Sequence, residues 1–417
     1  MHPTPPPQHA VLRALALQTG PFQWGGQSLE ALAQQAGQTP FYAYDSALVR
    51  SRVASLRRQL PPSVQLHYAM KANPLPAMVA LLAGLVDGVD VASGAELRVA
   101  LAAGAHARGI SFAGPGKRLQ ELQQAVAAGI LVNVESFREV ALLGSIAASL
   151  QRPARVAVRV NPDFDLKSAG MKMGGGAKPF GVDAEQVPAL LAEINRLGLA
   201  FEGFHLFAGS QNLNPALIAQ AQLQSYELAL RLAALAPGPV KVLNLGGGFG
   251  IPYFPGEEWL DLAPIATNLQ QLVQRAKTEL PQAQLVLELG RYLVGEAGIY
   301  VARILDRKLS RGQVFLIADG GMHHHLAASG NFGQVIRKNY PVTLCPAAVR
   351  AAAVPVPREV ASVVGPLCTP LDLLADKMVL PVAQEGDWVV VFQSGAYGLS
   401  ASPNAFLSQT NCFELLI

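Results

Sequence analysis

Short apolar runs alternate with helix-patterned stretches through the first two thirds of the chain. The apolar runs predict strands, and the Ala- and Leu-rich stretches between them have the spacing of amphipathic helices. Eight such units predict a (β/α)8 barrel over residues 45–295. The predicted strands are 65–70, 86–92, 109–113, 130–134, 155–160, 201–207, 241–245 and 284–289, and the clearest helices are Pro76–Leu85, Ala95–Ala103, Leu119–Ala127 and Phe137–Leu150.

After residue 295 the helical periodicity fades, and short β-rich runs are separated by proline and glycine. They predict an all-β domain over residues 296–417. Residues 9–44 are expected to join it, because Phe41–Tyr44 has strand character; a helix is expected near Ser28–Ala36, and the proline-rich residues 1–8 are expected to be disordered. The predicted β runs are Ile299–Leu305, Val314–Ala318, Val342–Leu344, Glu359–Val364 and Trp388–Gln393, and the glycine-rich segment Gly170–Gly181 is expected to be a loop inserted in the barrel.

Composition narrows the class of protein. Hydrophobic residues make up 51% of the 417 residues and charged residues 15%, so the chain can bury a large core. A net charge of +3 without a Lys/Arg run gives little support to nucleic-acid binding. Three cysteines, Cys345, Cys368 and Cys412, argue against a disulfide framework. The N-terminal pattern lacks a signal peptide and no apolar run has the length of a membrane span, so we expect a cytoplasmic protein.

Polar residues and glycines interrupt the apolar pattern where predicted strands end. The carboxyl ends of barrel strands meet at one face, where barrel enzymes assemble their active sites. An amine at this face can hold an aldehyde cofactor as a Schiff base, which is the interpretation we favour for Lys71 over a solvated surface lysine. The other candidates lie at the ends of the predicted strands: Asp90 at the second, His205 and Ser210 at the sixth, Gly246–Gly248 after the seventh, and Glu288, Gly290 and Arg291 at the eighth.

The triple glycine at 246–248 is interpreted as a phosphate cradle, because phosphate oxygens can approach backbone N–H groups where no side chain intervenes. A tight turn is the alternative. A dinucleotide-binding fingerprint is disfavoured, since Ile251 stands where its last glycine belongs.

Glu288 lies in an otherwise apolar strand, where an inward carboxylate needs a partner. A protonated ring nitrogen of a cofactor is one partner, and an ion pair with Arg291 or another barrel cation is the alternative. His205 is either a core histidine or a ring stacked on a flat cofactor. The run His323–His325 cannot turn three successive side chains toward one ion, so no metal site is expected.

These motifs, spaced in order from Thr39 to about Leu407, resemble the fold-type III pyridoxal-phosphate decarboxylases, the diaminopimelate and ornithine decarboxylase family. The resemblance implies a barrel plus a β domain, a head-to-tail homodimer and pyridoxal 5'-phosphate as cofactor. It implies that Lys71 binds the cofactor, that the Gly-Pro-Leu-Cys cysteine, Cys368, donates a proton in the partner subunit's site, and that Tyr397 binds phosphate. His205 would stack on the ring, and Gly246–Gly248 with Glu288–Arg291 would hold the phosphate and the ring nitrogen.

Departures from the family pattern concern the substrate. Thr369 follows Cys368 where the family has an acidic residue, although Asp372 lies close by in sequence. No arginine follows Asp319-Gly320-Gly321-Met322, where diaminopimelate enzymes grip the distal carboxylate. Diaminopimelate is therefore disfavoured as the substrate. The cysteine motif resembles that of decarboxylases that act on amino acids tethered to an acyl carrier protein. The segment 173–181 is similar to that of a subgroup associated with exosortase systems.

The function predicted is decarboxylation of an amino acid or amino-acid conjugate, with Arg291, Thr369, Asp372 and Tyr397 as candidate substrate contacts. An amino acid racemase shares the cofactor and architecture, but it needs a tyrosine opposite the lysine, and the Cys368 segment disfavours it. A pyridoxal-phosphate-binding protein without turnover is the third interpretation. Single-domain proteins of that kind lack the β domain expected here.

Overall fold

A computed structural model describes residues 8–16, 21–164, 171–172, 175–347 and 357–417. The segment expected to be disordered, residues 1–8, lies outside this range except for Gln8, and so does part of the expected loop Gly170–Gly181. Contacts divide the chain into two compact units. The barrel unit comprises Arg50–Ile251 and Leu260–Leu293, and the β unit comprises Met1–Val49, Pro252–Trp259 and Val294–Ile417.

The barrel unit is a closed ring of eight parallel strands, which we number β1 to β8 in chain order. Each strand pairs with the next, and β8 pairs with β1, so the ring has no open edge. All eight strands predicted from the sequence are confirmed. They are β1 Gln65–Ala69, β2 Gly88–Val91, β3 Ile110–Phe112, β4 Leu131–Val134, β5 Arg155–Asn161, β6 Ala200–Leu206, β7 Val242–Gly247 and β8 Gln284–Leu289.

Helices follow the strands as the periodicity predicts, and local capping explains where several of them begin. The hydroxyl of Ser93 accepts a hydrogen bond from the Glu96 amide, and that of Ser136 accepts one from Glu139, so each satisfies an otherwise unpaired N–H group. The helices are Ser46–Gln59, Pro76–Ala83, Gly94–Ala102, Leu119–Ala128, Phe137–Leu150, Val187–Arg196, Pro215–Ala233 and Ala263–Glu279. No helix in the described ranges is both long and apolar enough to cross a bilayer.

The β unit is built around one long strand, Gly298–Ser310. It pairs antiparallel with Phe41–Tyr44, Trp388–Val391 and Gln313–Ala318, and Phe413–Leu416 adds to Phe41–Tyr44 in parallel. Strands Val342–Cys345, Arg358–Val364 and Leu373–Pro381 complete the sheet, and helices Ala10–Leu15 and Leu29–Ala36 precede it. Its core contains Leu32, Phe41, Ile299, Val301, Trp388 and Phe392. The fold class, a barrel with a separate β domain, is thus confirmed.

Two strands of this sheet are missed by the sequence pattern. Leu373–Pro381 contains the charged pair Asp376-Lys377, and Lys377 has a φ of 45° at a register irregularity, so the apolar alternation is broken. Phe413–Leu416 has no fully buried residue, and Glu414 interrupts its apolar run. Pro252–Trp259 belongs to the β unit, whereas the predicted boundaries place it in the barrel.

Candidate active site

Lys71 lies on a single 3-10 turn, Met70–Ala72, directly after β1. Its two neighbours on the turn are buried, whereas its own side chain is 45% exposed. Its Nζ lies 3.8 Å from Glu288 Oε1 and 5.8 Å from the centre of the Phe207 ring. The strand end therefore presents an accessible amine beside a buried carboxylate.

Glu288 is buried on β8 and accepts a hydrogen bond from His205 Nε2 at 2.9 Å. Asn244 Nδ2 lies 3.5 Å from the same carboxylate oxygen. Burial raises the pKa of Glu288, but the His205 hydrogen bond and the charge of Lys71 outweigh it and hold that pKa well below its usual range. The carboxylate is thus ionised at neutral pH. The partners of Glu288 are His205 and Lys71. Lys71 is thus a barrel cation of the kind that the alternative interpretation expected. The pairing of Glu288 with a cofactor ring nitrogen stays a prediction.

The His205 ring has a buried nitrogen that is unsatisfied within the described ranges, which is uncommon for a core histidine. Its side chain is 2% exposed, and its Nδ1 atom has no hydrogen-bond partner in the described part of the chain. Buried polar atoms in folded proteins are nearly always satisfied, so an orphaned nitrogen at a barrel mouth indicates a place where a further group is accommodated. Stacking of this ring on a cofactor stays a prediction.

Asp90 belongs to a buried polar cluster on the first three barrel strands. His67 Nδ1 donates to Asp90 Oδ1 over 3.2 Å, and the Ser111 hydroxyl donates to the same oxygen. Burial lowers the pKa of His67, but the charge and hydrogen bond of Asp90 outweigh it and raise that pKa. Asp90 Oδ2 has no hydrogen-bond partner among the described residues, and its contact with a cofactor stays a prediction.

The glycines at 246–248 allow close approach of backbone segments. A Cβ on Gly247 would overlap the carbonyl oxygen of Glu288, and one on Gly248 would overlap that of Gly209, which precedes the half-buried Ser210. Gly246 and Gly248 also have positive φ values, 69° and 76°. Both the tight turn and a side-chain-free backbone are therefore present, and phosphate binding stays a prediction.

The segment after β8 packs against the turn that carries Lys71. A Cβ on Gly290 would lie 2.9 Å from Ala72 Cβ and 3.0 Å from the Ala69 carbonyl oxygen, so only glycine fits there without displacement. Arg291 then opens the one-turn helix Arg291–Val294 and is half-buried.

A second ion pair at the barrel mouth is missed by the sequence analysis. Arg159 on β5 donates to Glu135 Oε1 over 2.9 Å, both side chains are buried, and the Arg159 charge helps to lower the pKa of Glu288. Glu135 Oε2 also accepts from the Gly181 amide at 3.0 Å, and Phe180 lies 5.2 Å from the guanidinium carbon. The available signal was an arginine within the buried apolar stretch Val156–Val160.

The remaining candidates belong to the β unit. Cys368 is exposed, whereas Cys412 is buried and Cys345 partly buried. Thr369 is half-buried, and the Tyr397 ring lies 6.2 Å from that of Phe332. The roles expected for Cys368, Thr369 and Tyr397 stay predictions.

Asp372 is 2% exposed, and its two carboxylate oxygens accept hydrogen bonds from the backbone amides of Met322 and Leu367. This geometry favours a role in shaping the loop over the direct substrate contact expected from the sequence.

The three histidines at 323–325 are all buried in the β unit. Burial lowers the pKa of His324 to about 4 and that of His325 to about 3. These two rings are therefore neutral at pH 7. The described residues contain no group of three or more His, Cys, Asp or Glu side chains arranged to hold a metal ion.

Comparison with known proteins identifies the family. Residues 46–295 match the family model for the pyridoxal-binding domain of pyridoxal-dependent decarboxylases. The chain is 39% identical, over 91% of its length and 89% of the relative's, to a Niallia circulans decarboxylase of L-glutamyl BtrI acyl-carrier protein. It is 34% identical to diaminopimelate decarboxylase of Aquifex aeolicus, over 90% of this chain and 86% of that one.

A crystal structure of Helicobacter pylori diaminopimelate decarboxylase with L-lysine is similar in fold. It superposes with a TM-score of 0.81 at 28% identity, covering 93% of this chain and 94% of the other. The chain belongs to the fold-type III pyridoxal-dependent decarboxylases. It is an amino acid decarboxylase with pyridoxal 5'-phosphate as its cofactor, which sets aside the racemase and the protein without turnover.

The residues at the barrel mouth fit this cofactor. An accessible amine suits its aldehyde, the ionised Glu288 suits a protonated ring nitrogen, and His205 Nδ1 has no hydrogen-bond partner among the described residues. The backbone at Gly246–Gly248 is free of side chains, as a phosphate requires.

Proposed function

We propose that the barrel mouth binds pyridoxal 5'-phosphate with Lys71 on its aldehyde, Glu288 at its ring nitrogen and Gly246–Gly248 at its phosphate. When bound, the cofactor withdraws electrons from the substrate's α-carbon and so makes loss of carbon dioxide feasible. Glu288 supports this chemistry because it is ionised, buried and held in place by His205. We further propose that Arg291 and Tyr397 assist in phosphate or substrate binding.

Cys368 is proposed to protonate the α-carbon after carbon dioxide has left. The Cys368 thiol is exposed, and a group that must reach a substrate has to be accessible.

The proposed substrate is an amino acid tethered to an acyl carrier protein, as the name of the 39% identical relative states for that enzyme. The observation that carries this proposal is the buried run His323–His325, in which His324 and His325 are neutral. This run occupies the segment where diaminopimelate enzymes have an arginine. A neutral imidazole inside the β unit offers no cation to a free distal carboxylate. A conjugated amino acid has no such charge at its tethered end.

A substrate panel tests this proposal. Carbon dioxide release would be measured from L-glutamyl acyl carrier protein, L-glutamyl pantetheine, and free glutamate, lysine, ornithine, arginine and diaminopimelate. We expect kcat/KM for the carrier-bound substrate to exceed that for every free amino acid by at least about 100-fold. A site without a side chain to pair with the charged distal group of a free amino acid discriminates against that group. Faster turnover of diaminopimelate than of the tethered substrate would contradict the proposal.

We also propose a head-to-tail homodimer in which Cys368 serves the partner's site. The β unit exposes several apolar side chains. Leu371 is 54% exposed, Ile336 77%, and Val335 is fully exposed. A second copy that covered these side chains would remove them from water. We propose separately that the protein is cytoplasmic, as the sequence predicts.

Mixing two inactive variants tests the shared site. Lys71→Ala and Cys368→Ala subunits, unfolded and refolded together in equal amounts, form mixed dimers with one complete site each if the site is shared. We expect recovery of about a quarter of the wild-type rate, since half of the dimers are mixed and each has one working site of two. Refolding each variant alone is the control. No recovery, with dimers confirmed by light scattering, would contradict a shared site.

A further inference from the structure

We propose that Asp372 is a positioning residue that fixes the loop on which Cys368 is presented. This inference rests on the proton-donor role proposed for Cys368. The loop runs from Gly365 to Asp372 and is closed at its base by a hydrogen bond of 3.1 Å from the Gly365 amide to the Asp372 carbonyl oxygen.

The Asp372 side chain lies inside this loop. Its Oδ2 accepts from the Leu367 amide at 2.9 Å, and Leu367 directly precedes Cys368. Its Oδ1 accepts from the Met322 amide at 2.6 Å, in the segment that leads to the buried histidines. One buried carboxylate therefore ties the residue before the thiol to a second, separate segment of the β unit.

Two glycines show how closely the loop is packed on this carboxylate. A Cβ on Gly321 would overlap Asp372 Oδ1, and a Cβ on Gly365 would overlap Oδ2. Both glycines border the carboxylate where a larger residue would displace it. The loop position is thus set from inside by Asp372.

The tip of the loop is exposed although its base is buried. Asp372 and Leu367 are buried, whereas Cys368 and Leu371 are exposed. The backbone around the tip is held by a bond of 2.8 Å from the Thr369 amide to the Leu367 carbonyl oxygen. An exposed thiol on a loop with a fixed base is accessible to a group that approaches from outside the loop.

The test is Asp372→Asn in the holoenzyme. An amide oxygen can still accept one of the two backbone bonds, but the amide nitrogen faces an N–H group and cannot accept the other. We expect kcat to fall by about 10- to 100-fold with KM nearly unchanged, because misplacement by about 1 Å is enough to slow a proton transfer by this amount. The rate of Cys368 alkylation by iodoacetamide, followed by mass spectrometry, is expected to change as well.

Asp387→Asn is the matched control. Asp387 is equally buried in the β unit and accepts from the backbone amides of Ala347 and Gln384 at 3.1 and 2.9 Å. It therefore has the same kind of structural role at a different loop. Both variants are expected to lower the melting temperature, but only Asp372→Asn is expected to alter kcat and Cys368 alkylation. Equal effects of both variants on kcat would overturn the proposal.

A double-mutant cycle separates this proposal from the role of Cys368 itself. If Asp372 acts through the thiol, adding Asp372→Asn to Cys368→Ala causes no further loss of kcat. A full additional loss overturns the positioning role. Normal turnover by Cys368→Ala alone would instead show that the proton-donor proposal is wrong.

Discussion

Replacing Lys71 with alanine is expected to abolish covalent attachment of the cofactor and to slow carbon dioxide release by at least about 10⁴-fold, since an intramolecular amine has a very high effective concentration. The amine lies 3.8 Å from Glu288 at the mouth of the barrel and is accessible. The measurement is borohydride reduction of the holoenzyme followed by mass spectrometry of the peptide that contains residues 69–73. The wild-type peptide should gain the mass of the reduced cofactor and the variant peptide should not.

Lys241 offers a control of the same geometry. Its Nζ lies 3.8 Å from Glu202 Oε1, and its side chain is 50% exposed, which closely matches Lys71. It precedes β7 and so lies at the opposite end of the barrel strands. Lys241→Ala should retain both the covalent cofactor and the activity. Modification of any lysine other than Lys71 in the wild-type enzyme would refute the assignment.

Replacing Glu288 with glutamine is expected to lower kcat by about 10²- to 10³-fold, which is the range observed when one preorganised electrostatic partner is removed from an active site. The neutral amide cannot hold a proton on the cofactor's ring nitrogen, and it also removes the charge that orients His205. The variant should still bind the cofactor through Lys71. Absorption spectra and borohydride trapping measure cofactor occupancy, and carbon dioxide release measures kcat.

Glu202→Gln is the corresponding control, because Glu202 also lies on a barrel strand and pairs with Arg155 and Lys241 near the strand's amino end. Its kcat should stay within about twofold of the wild type, as for most substitutions away from a site. A Glu288→Gln enzyme with wild-type kcat and full occupancy would exclude the proposed role of this carboxylate.

Much of the barrel could be predicted because each strand is a short apolar run buried on both faces. Burial of β2 and β4 is complete along their length, and three of the four residues in each strand are apolar or glycine. Asp90 and Glu288 mark the site because a buried polar side chain in such a strand needs a specific partner.

Other parts depend on long-range pairing that periodicity does not encode. The Arg159–Glu135 ion pair joins neighbouring barrel strands, and its members lie 24 positions apart in the sequence. The hydrogen bond from the Met322 amide to Asp372 Oδ1 joins residues 50 positions apart. The separation within each pair matches no helix or strand period, so only the three-dimensional contacts reveal these two pairs.

The sheet of the β unit has a consequence for synthesis on the ribosome. Phe41–Tyr44 is made early, but its neighbours in the sheet are Gly298–Val301 and Phe413–Leu416. Every barrel strand lies between residues 65 and 289, so the ring can close while this early strand still awaits both neighbours. A nascent chain stalled before residue 413 would hold a completed barrel beside an open, aggregation-prone strand edge.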